Sequence, residues 1–191
     1  TTNGDNYALR ISYTEPLSQH HILDFGYRIN TNTSHNDKQS FDYDSVTGRW
    51  DIPDTLTTNK FFNRTTVQNF HAGFNADDTK FRYQLGLAVQ LTDLDNQNYT
   101  LKANIVQHFT NWFPPANLIW TLAQGRTMRF GYSGYSSAPS IEQLQPLPDL
   151  TNPFLVKVGN PDLRQSFQHN MEAEYNSFNT KSLQNWQLSF Q

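Results

Sequence analysis

The stretch Lys80-Phe81-Arg82-Tyr83-Gln84-Leu85-Gly86-Leu87-Ala88-Val89-Gln90-Leu91 alternates without a fault. Phe81, Tyr83, Leu85, Leu87, Val89 and Leu91 fall on one face, and Arg82, Gln84, Gly86, Ala88 and Gln90 on the other. Period two is a strand, since a helix would need apolar residues three and four apart. A tilted strand crosses a bilayer in about 9 to 11 residues, and globular strands average about 5 to 6. The length of this run points to a membrane.

The pattern recurs at 7–14, where Tyr7, Leu9, Ile11 and Tyr13 oppose Ala8, Arg10 and Ser12. It recurs again at 23–30, where Leu23, Phe25, Tyr27 and Ile29 oppose Asp24, Gly26 and Arg28. Weaker copies at 70–76, 118–123, 128–135, 167–175 and 186–190 bring the predicted strands to eight. Residues 101–108 read as loop or strand. Short connections (15–18, 77–80, 124–126, 178–183) alternate with long ones at about 31–65, 94–111 and 136–165. Outer-membrane barrels place short turns on the periplasmic side and long loops outside, so the long connections read as external loops. Both chain ends then lie on the external side, whereas complete barrels usually keep them inside. The expectation is an excerpt of a larger barrel, with Thr1 and Gln191 as cut points.

Composition agrees with this class. The 191 residues include only 16% charged side chains but 14% aromatics, with twenty Asn and fifteen Gln supplying uncharged polarity. Mean hydropathy is −0.70, which does not argue against a barrel because its strands hide apolar residues at alternate positions. No run approaches a spanning helix. With 14 Lys+Arg against 17 Asp+Glu, a net charge of −3 offers no basic stripe for a phosphate backbone, and nucleic acid is not an expected partner. The absence of cysteine removes disulfides, thiolate metal sites and a cysteine nucleophile.

Several segments resemble a known family. They are Asn111-Trp112-Phe113-Pro114-Pro115-Ala116-Asn117-Leu118, Met128-Arg129-Phe130-Gly131-Tyr132-Ser133, Ala138-Pro139-Ser140-Ile141-Glu142-Gln143-Leu144, Asn152-Pro153 and Gly159-Asn160-Pro161-Asp162-Leu163. In this order and spacing they resemble the barrel of TonB-dependent outer-membrane receptors, in the outer membrane protein beta-barrel branch. Tyr13-Thr14-Glu15-Pro16-Leu17 and Leu85-Gly86-Leu87 extend the resemblance upstream. The family often carries arginines before its Pro-Ser, where Tyr135-Ser136-Ser137-Ala138 stand here. The resemblance implies an all-β antiparallel transmembrane barrel segment, about eight strands of a barrel of about 22, spanning 1–191 and lacking the plug domain. It implies nutrient uptake, with outer-membrane lipid, the remainder of the barrel, the plug and an inner-membrane energy-coupling complex as partners. A surface lipoprotein is a further candidate partner.

The alternation itself assigns faces: Phe81, Tyr83, Leu85, Leu87 and Val89 toward lipid, and Arg10, Asp24, Arg28, Arg82, Gln84 and Arg129 toward the lumen, where water or a plug can solvate charge. Pro139, Asn152, Pro153, Gly159, Asn160 and Pro161 read as residues that shape a loop, since Gly permits positive φ and Pro161 keeps Asn160 out of the helical region. The loop at 136–165 is expected to be ordered in part and folded onto something. Asp93-Leu94-Asp95-Asn96-Gln97-Asn98 alternates oxygens but lacks the glycine and distal glutamate of a calcium loop, so it reads as a solvated loop. His20 and His21 face opposite ways on a strand, and the other histidines lack ligand spacing. No cofactor or metal is expected. Ser140 has no Gly-x-Ser-x-Gly elbow and no carboxylate pair is framed for acid-base work, so an enzyme is not predicted. Two rival readings remain: a soluble or surface-attached β-sandwich that binds carbohydrate or protein, and a passive outer-membrane pore.

Overall fold

The computed structural model describes residues 2–54, 58–100, 102–144, 148–149, 154–180 and 182–191. In chain order the elements are β1 (Thr2–Pro16), β2 (His21–Lys38), β3 (Phe41–Asp44), β4 (Arg49–Pro53), β5 (Asn59–Asp77), β6 (Phe81–Asn98), β7 (Ala103–Phe113), β8 (Ala116–Ala123) and β9 (Arg126–Ser137). A one-turn helix α1 (Ile141–Leu144) follows, then β10 (Pro148–Asp149), β11 (Lys157–Val158), β12 (Ser166–Asn179) and β13 (Gln184–Phe190). One antiparallel sheet runs β1-β2-β5-β6-β8-β9-β12-β13, with β7 beside β6. Among the described residues the large sheet has no second large sheet facing it, so the β-sandwich is not the architecture. Strands β1 and β13 do not pair with each other, and the sheet is open.

Register makes the alternation continuous. Tyr13–Phe25–Ala72–Leu87, Ile11–Tyr27–Phe70–Val89 and Leu9–Ile29–Gln68–Leu91 are cross-strand rows of one face. The same face continues as Leu85–Ala116–Tyr132–Met171 and Tyr83–Leu118–Phe130–Ala173–Phe190. Nothing among the described residues covers it: Leu85 and Leu87 are 52% and 49% exposed, and Leu188 66%. Its lower margin, near the short turns, is aromatic, with Phe81 stacked on Trp120 at 5.7 Å and Phe74 near Tyr83 at 6.0 Å. Its upper margin is abrupt. One row above Leu91 the face reads Tyr7–Thr31–Thr66–Asp93, and the next is Asp5–Thr33–Arg64–Asp95.

The strands overrun the predicted ones because pairing continues above that margin. β6 has 18 residues, a rise of about 60 Å, roughly twice the hydrocarbon thickness. The predicted loop at 94–111 is therefore mostly strand, closed by a tight connection between Asn98 and Ala103. That at 31–65 is two strand extensions bearing the β3–β4 ribbon. The ribbon turn is set by the Val46 N–H donating to Asp44 Oδ1 at 2.7 Å, which holds the Asp44 carboxyl below its ordinary range. Its contribution to the turn is present above the unfolded aspartate pKa, about 3.9, and fades as pH falls through the lower folded value.

The four short turns fall within two residues of the predicted positions, the first at 17–20 where 15–18 was expected, and are bonded to one another. Asp77 N–H donates to His20 O, Thr121 N–H to Lys80 O, and Phe178 N–H to Gly125 O at 2.6 Å. Gly125 has φ of +73°, and a Cβ there would lie 2.4 Å from the Phe178 carbonyl. Gly125→Val should therefore destabilise the β8–β9 hairpin by about 1 to 3 kcal/mol. Urea unfolding of the assembled barrel checks this, with Gly48→Val, at another positive-φ turn but in open surroundings, as the milder comparison.

Candidate functional site: the polar face and the loop laid over it

All six polar-face candidates share one face. Arg10–Arg28–Asn69–Gln90 is one row, and Thr14–Asp24–Gly73–Gly86 another. Below them runs Ile22–Asn75–Gln84–Asn117–Gly131–Glu172, then Asp77–Arg82–Ile119–Arg129–Glu174–Ser189. The residues are spread along the wall and do not converge on a single point. Arg82 Nε lies 2.9 Å from Asp77 Oδ1, and Arg129 Nη1 4.0 Å from Glu174 Oε2. Such exposed pairs contribute little to stability.

Acidic groups on this face lie over glycines. A Cβ on Gly73 would sit 2.2 Å from Asp24 Oδ2, and one on Gly131 2.5 Å from Glu172 Oε1. The missing side chain is what lets each carboxylate lie flat on the neighbouring strand. Asp24 is then held by Asn75 Nδ2 at 2.8 Å, with His71 Nδ1 3.4 Å from its other oxygen. Between this group and Glu172 lies a hollow of about 590 Å³, its floor formed by Gln84, Asn117 and Gly131. Gly73→Leu should displace Asp24 and lower the barrel's unfolding midpoint in urea, and Gly73→Ala should do so less; equal midpoints would show the wall indifferent to this contact.

The sheet splits above Pro114-Pro115. β7 and β8 keep one register on β6, Ala88↔Phe113 and Leu85↔Ala116. The predicted strand at 118–123 is thus the lower half of a longer one, interrupted because two prolines withdraw their N–H groups from the ladder. Only the Gly86 N–H, donating to Pro115 O at 2.8 Å, bridges the gap. Beyond Tyr132, β9 no longer pairs with this strand and continues with β12 alone.

The freed β9–β12 end lies over the polar face of β6 and β7. Phe113, on that face, stacks on Phe167 at 5.2 Å and is 6% exposed. Asn111 Nδ2 donates to Ser136 Oγ, Ser136 Oγ to Gln165 Oε1 at 2.7 Å, and Gln165 Nε2 to Asn111 Oδ1 at 2.8 Å, a closed ring of three bonds. Gln107 Nε2 donates to the carbonyls of Pro161 and Leu163. The loop that follows is tied internally: Asn160 N–H donates to Gln143 O, Asp162 N–H to Asn160 Oδ1, and Leu144 is fully buried. Of the loop-shaping candidates, Pro139, Gly159, Asn160 and Pro161 are in this described part, while Asn152 and Pro153 lie outside the described residues. The amide ring was invisible to sequence reading, because its members are up to 54 residues apart and Asn and Gln are common throughout.

The acidic run 93–98 is strand β6 and not the solvated loop read from sequence. Asp93 lies 2.7 Å from His108 Nδ1, and alternation sends Leu94, Asn96 and Asn98 to the opposite face from Asp93 and Asp95. Among the described residues no three His, Asp or Glu side chains converge as for a metal.

A single open antiparallel sheet, apolar across its whole width on one face and charged on the other, defines the wall of a bacterial outer-membrane β-barrel. Residues 1–191 match the outer membrane protein beta-barrel family, and the chain belongs to it. Among solved structures it is similar to the ferric citrate transporter FecA in its unliganded form, with a TM-score of 0.59 and 10% sequence identity over 92% of this chain. The likeness is one of fold. The chain spans about a quarter of the FecA chain, 25%. Comparison with curated sequences returns no match.

Proposed function

We propose that the chain is a section of barrel wall from a TonB-dependent receptor that imports a scarce nutrient. In this reading the apolar face, with Phe81, Tyr83, Leu85, Leu87 and Val89, meets lipid. The face of Arg10, Asp24, Arg28, Arg82, Gln84 and Arg129 meets the lumen and its plug. The long hairpins and the 136–165 loop stand outside the cell. The observation that carries the reading is the position of that loop, bonded onto the polar face of β6–β7, with Asn111 in the same row as Arg10 and Arg28 and Gln107 above it. A ligand held there would sit at the mouth of a lumen whose release must be controlled from within. The motif order at 111–163 supports the same assignment.

The test is gene-dependent accumulation of labelled medium components by cells carrying the full-length protein. Uncoupling the proton-motive force should abolish it; equal accumulation with and without uncoupler would replace the receptor with a passive pore. Spin labels at 83, 85 and 87 of the full-length protein should contact lipid-soluble oxygen, and aqueous quencher at those sites would overturn the face assignment. Protease on intact cells should cut the exposed β3–β4 ribbon well before the 136–165 loop, whose two ends are bonded to Asn111 and Gln107. Equal cleavage would show that loop to be no better secured.

A further inference from the structure

Arg10 and Arg28 stand directly opposite each other across the β1–β2 ladder, on the polar face. Like charges in this position repel. Among the described residues neither arginine forms an ion pair. For Arg28 the surroundings on this face are complete on both sides. Its lateral neighbours are Arg10 and Asn69, its diagonal ones Ala8, Ser12, Val67 and His71, and its own strand places Gly26 and Asn30 two residues away. None is acidic, and the nearest acid on the strand, Asp24, is held by Asn75 and lies beside His71. The row also lies at membrane depth, since Leu9 and Ile11 flank Arg10, and Tyr27 and Ile29 flank Arg28, on the apolar face. Charges at that depth are kept where water or a counter-charge reaches them. Because both strands beside Arg28 bring no acid, in a barrel too wide for wall side chains to fill the source of a counter-charge for it is an element inside the lumen.

We infer that Arg10 and Arg28 form a docking point for a carboxylate-bearing surface of the plug domain, which they hold in the closed position. The inference rests on the plugged-receptor reading above and adds where the plug is held and by which charge. The two guanidiniums, side by side, present a paired donor surface to one or two carboxylates, and Arg donors match carboxylates in a bidentate way. Arg82 and Arg129 do not offer the same site, because Asp77 and Glu174 already stand beside them.

The test is single-channel conductance of the full-length receptor in planar bilayers during a urea titration. Wild type should be closed without urea, and raising salt should lower the urea needed to open it. In Arg10→Gln/Arg28→Gln, open channels should be about tenfold more frequent at a given urea concentration, with a weaker salt response. Arg129→Gln should behave as wild type. Should the double variant not reach the folded, heat-modifiable form, Arg28→Gln alone is read in the same assay, and Arg28→Lys should restore most of the closed state. A double variant with wild-type urea and salt dependence would overturn the inference. So would one that changes only ion selectivity, which would assign the pair to free anions. A wild-type protein that conducts without urea would defeat the plugged-receptor reading itself.

Discussion

Leu87→Arg should cost the assembled barrel about 2 to 4 kcal/mol of stability, while Gln84→Arg should cost much less. The two positions are three residues apart on one strand and differ in which face they occupy. Leu87 sits in the row Tyr13–Phe25–Ala72–Leu87, inside an apolar band bounded above by Asp93 and below by the Phe81–Trp120 stack. With the proposed lipid-facing orientation, a guanidinium there enters hydrocarbon with no partner in reach. Gln84 lies between Asn75 and Asn117 and lines the polar hollow, where an added charge remains solvated. Urea unfolding of the full-length barrel in lipid, followed by tryptophan fluorescence, measures both. Equal losses would mean that the two faces meet similar surroundings and would remove the membrane from the account.

The second large effect is all-or-none. The 191-residue chain made alone should enter inclusion bodies and bind detergent without forming a compact, heat-modifiable species. β1 and β13 each leave one side of their backbone unpaired, and closing one onto the other would require a register evolved for different neighbours. The apolar face adds Tyr7, Leu9, Ile11, Trp186, Leu188 and Phe190, all more than half exposed, to those edges. Both features drive strand addition in water. The small buried core, with Phe62, Ala76, Leu94, Phe113 and Leu144, is too slight to offset them. A monodisperse monomer with a cooperative melt in plain buffer would show that the sheet closes or covers itself.

What could be read from residues in order was whatever depends on near neighbours. Alternation at 80–91 fixes which side chains share a face, because successive Cβ atoms must point oppositely, and the assignment needs no partner strand. The same locality located the four short turns and placed Arg10, Asp24, Arg28, Arg82, Gln84 and Arg129 on the polar side. Tertiary structure decided what depends on pairing between distant segments. Residues 31–38 and 94–98 look like loop because polar side chains on both faces erase the alternation, yet the backbone ladder continues through them to Asn59 and Ala103. Hydrogen bonding between strands does not require an apolar face, so a hydropathy pattern ends where the membrane ends and not where the strand does. The fold of β9–β12 over Phe113 likewise follows from two prolines breaking one ladder and from two amides and a serine hydroxyl finding each other across the gap. The isolation of Arg28 emerged in the same way, since the absence of an acid beside it is a statement about β1 and β5 as much as about its own strand.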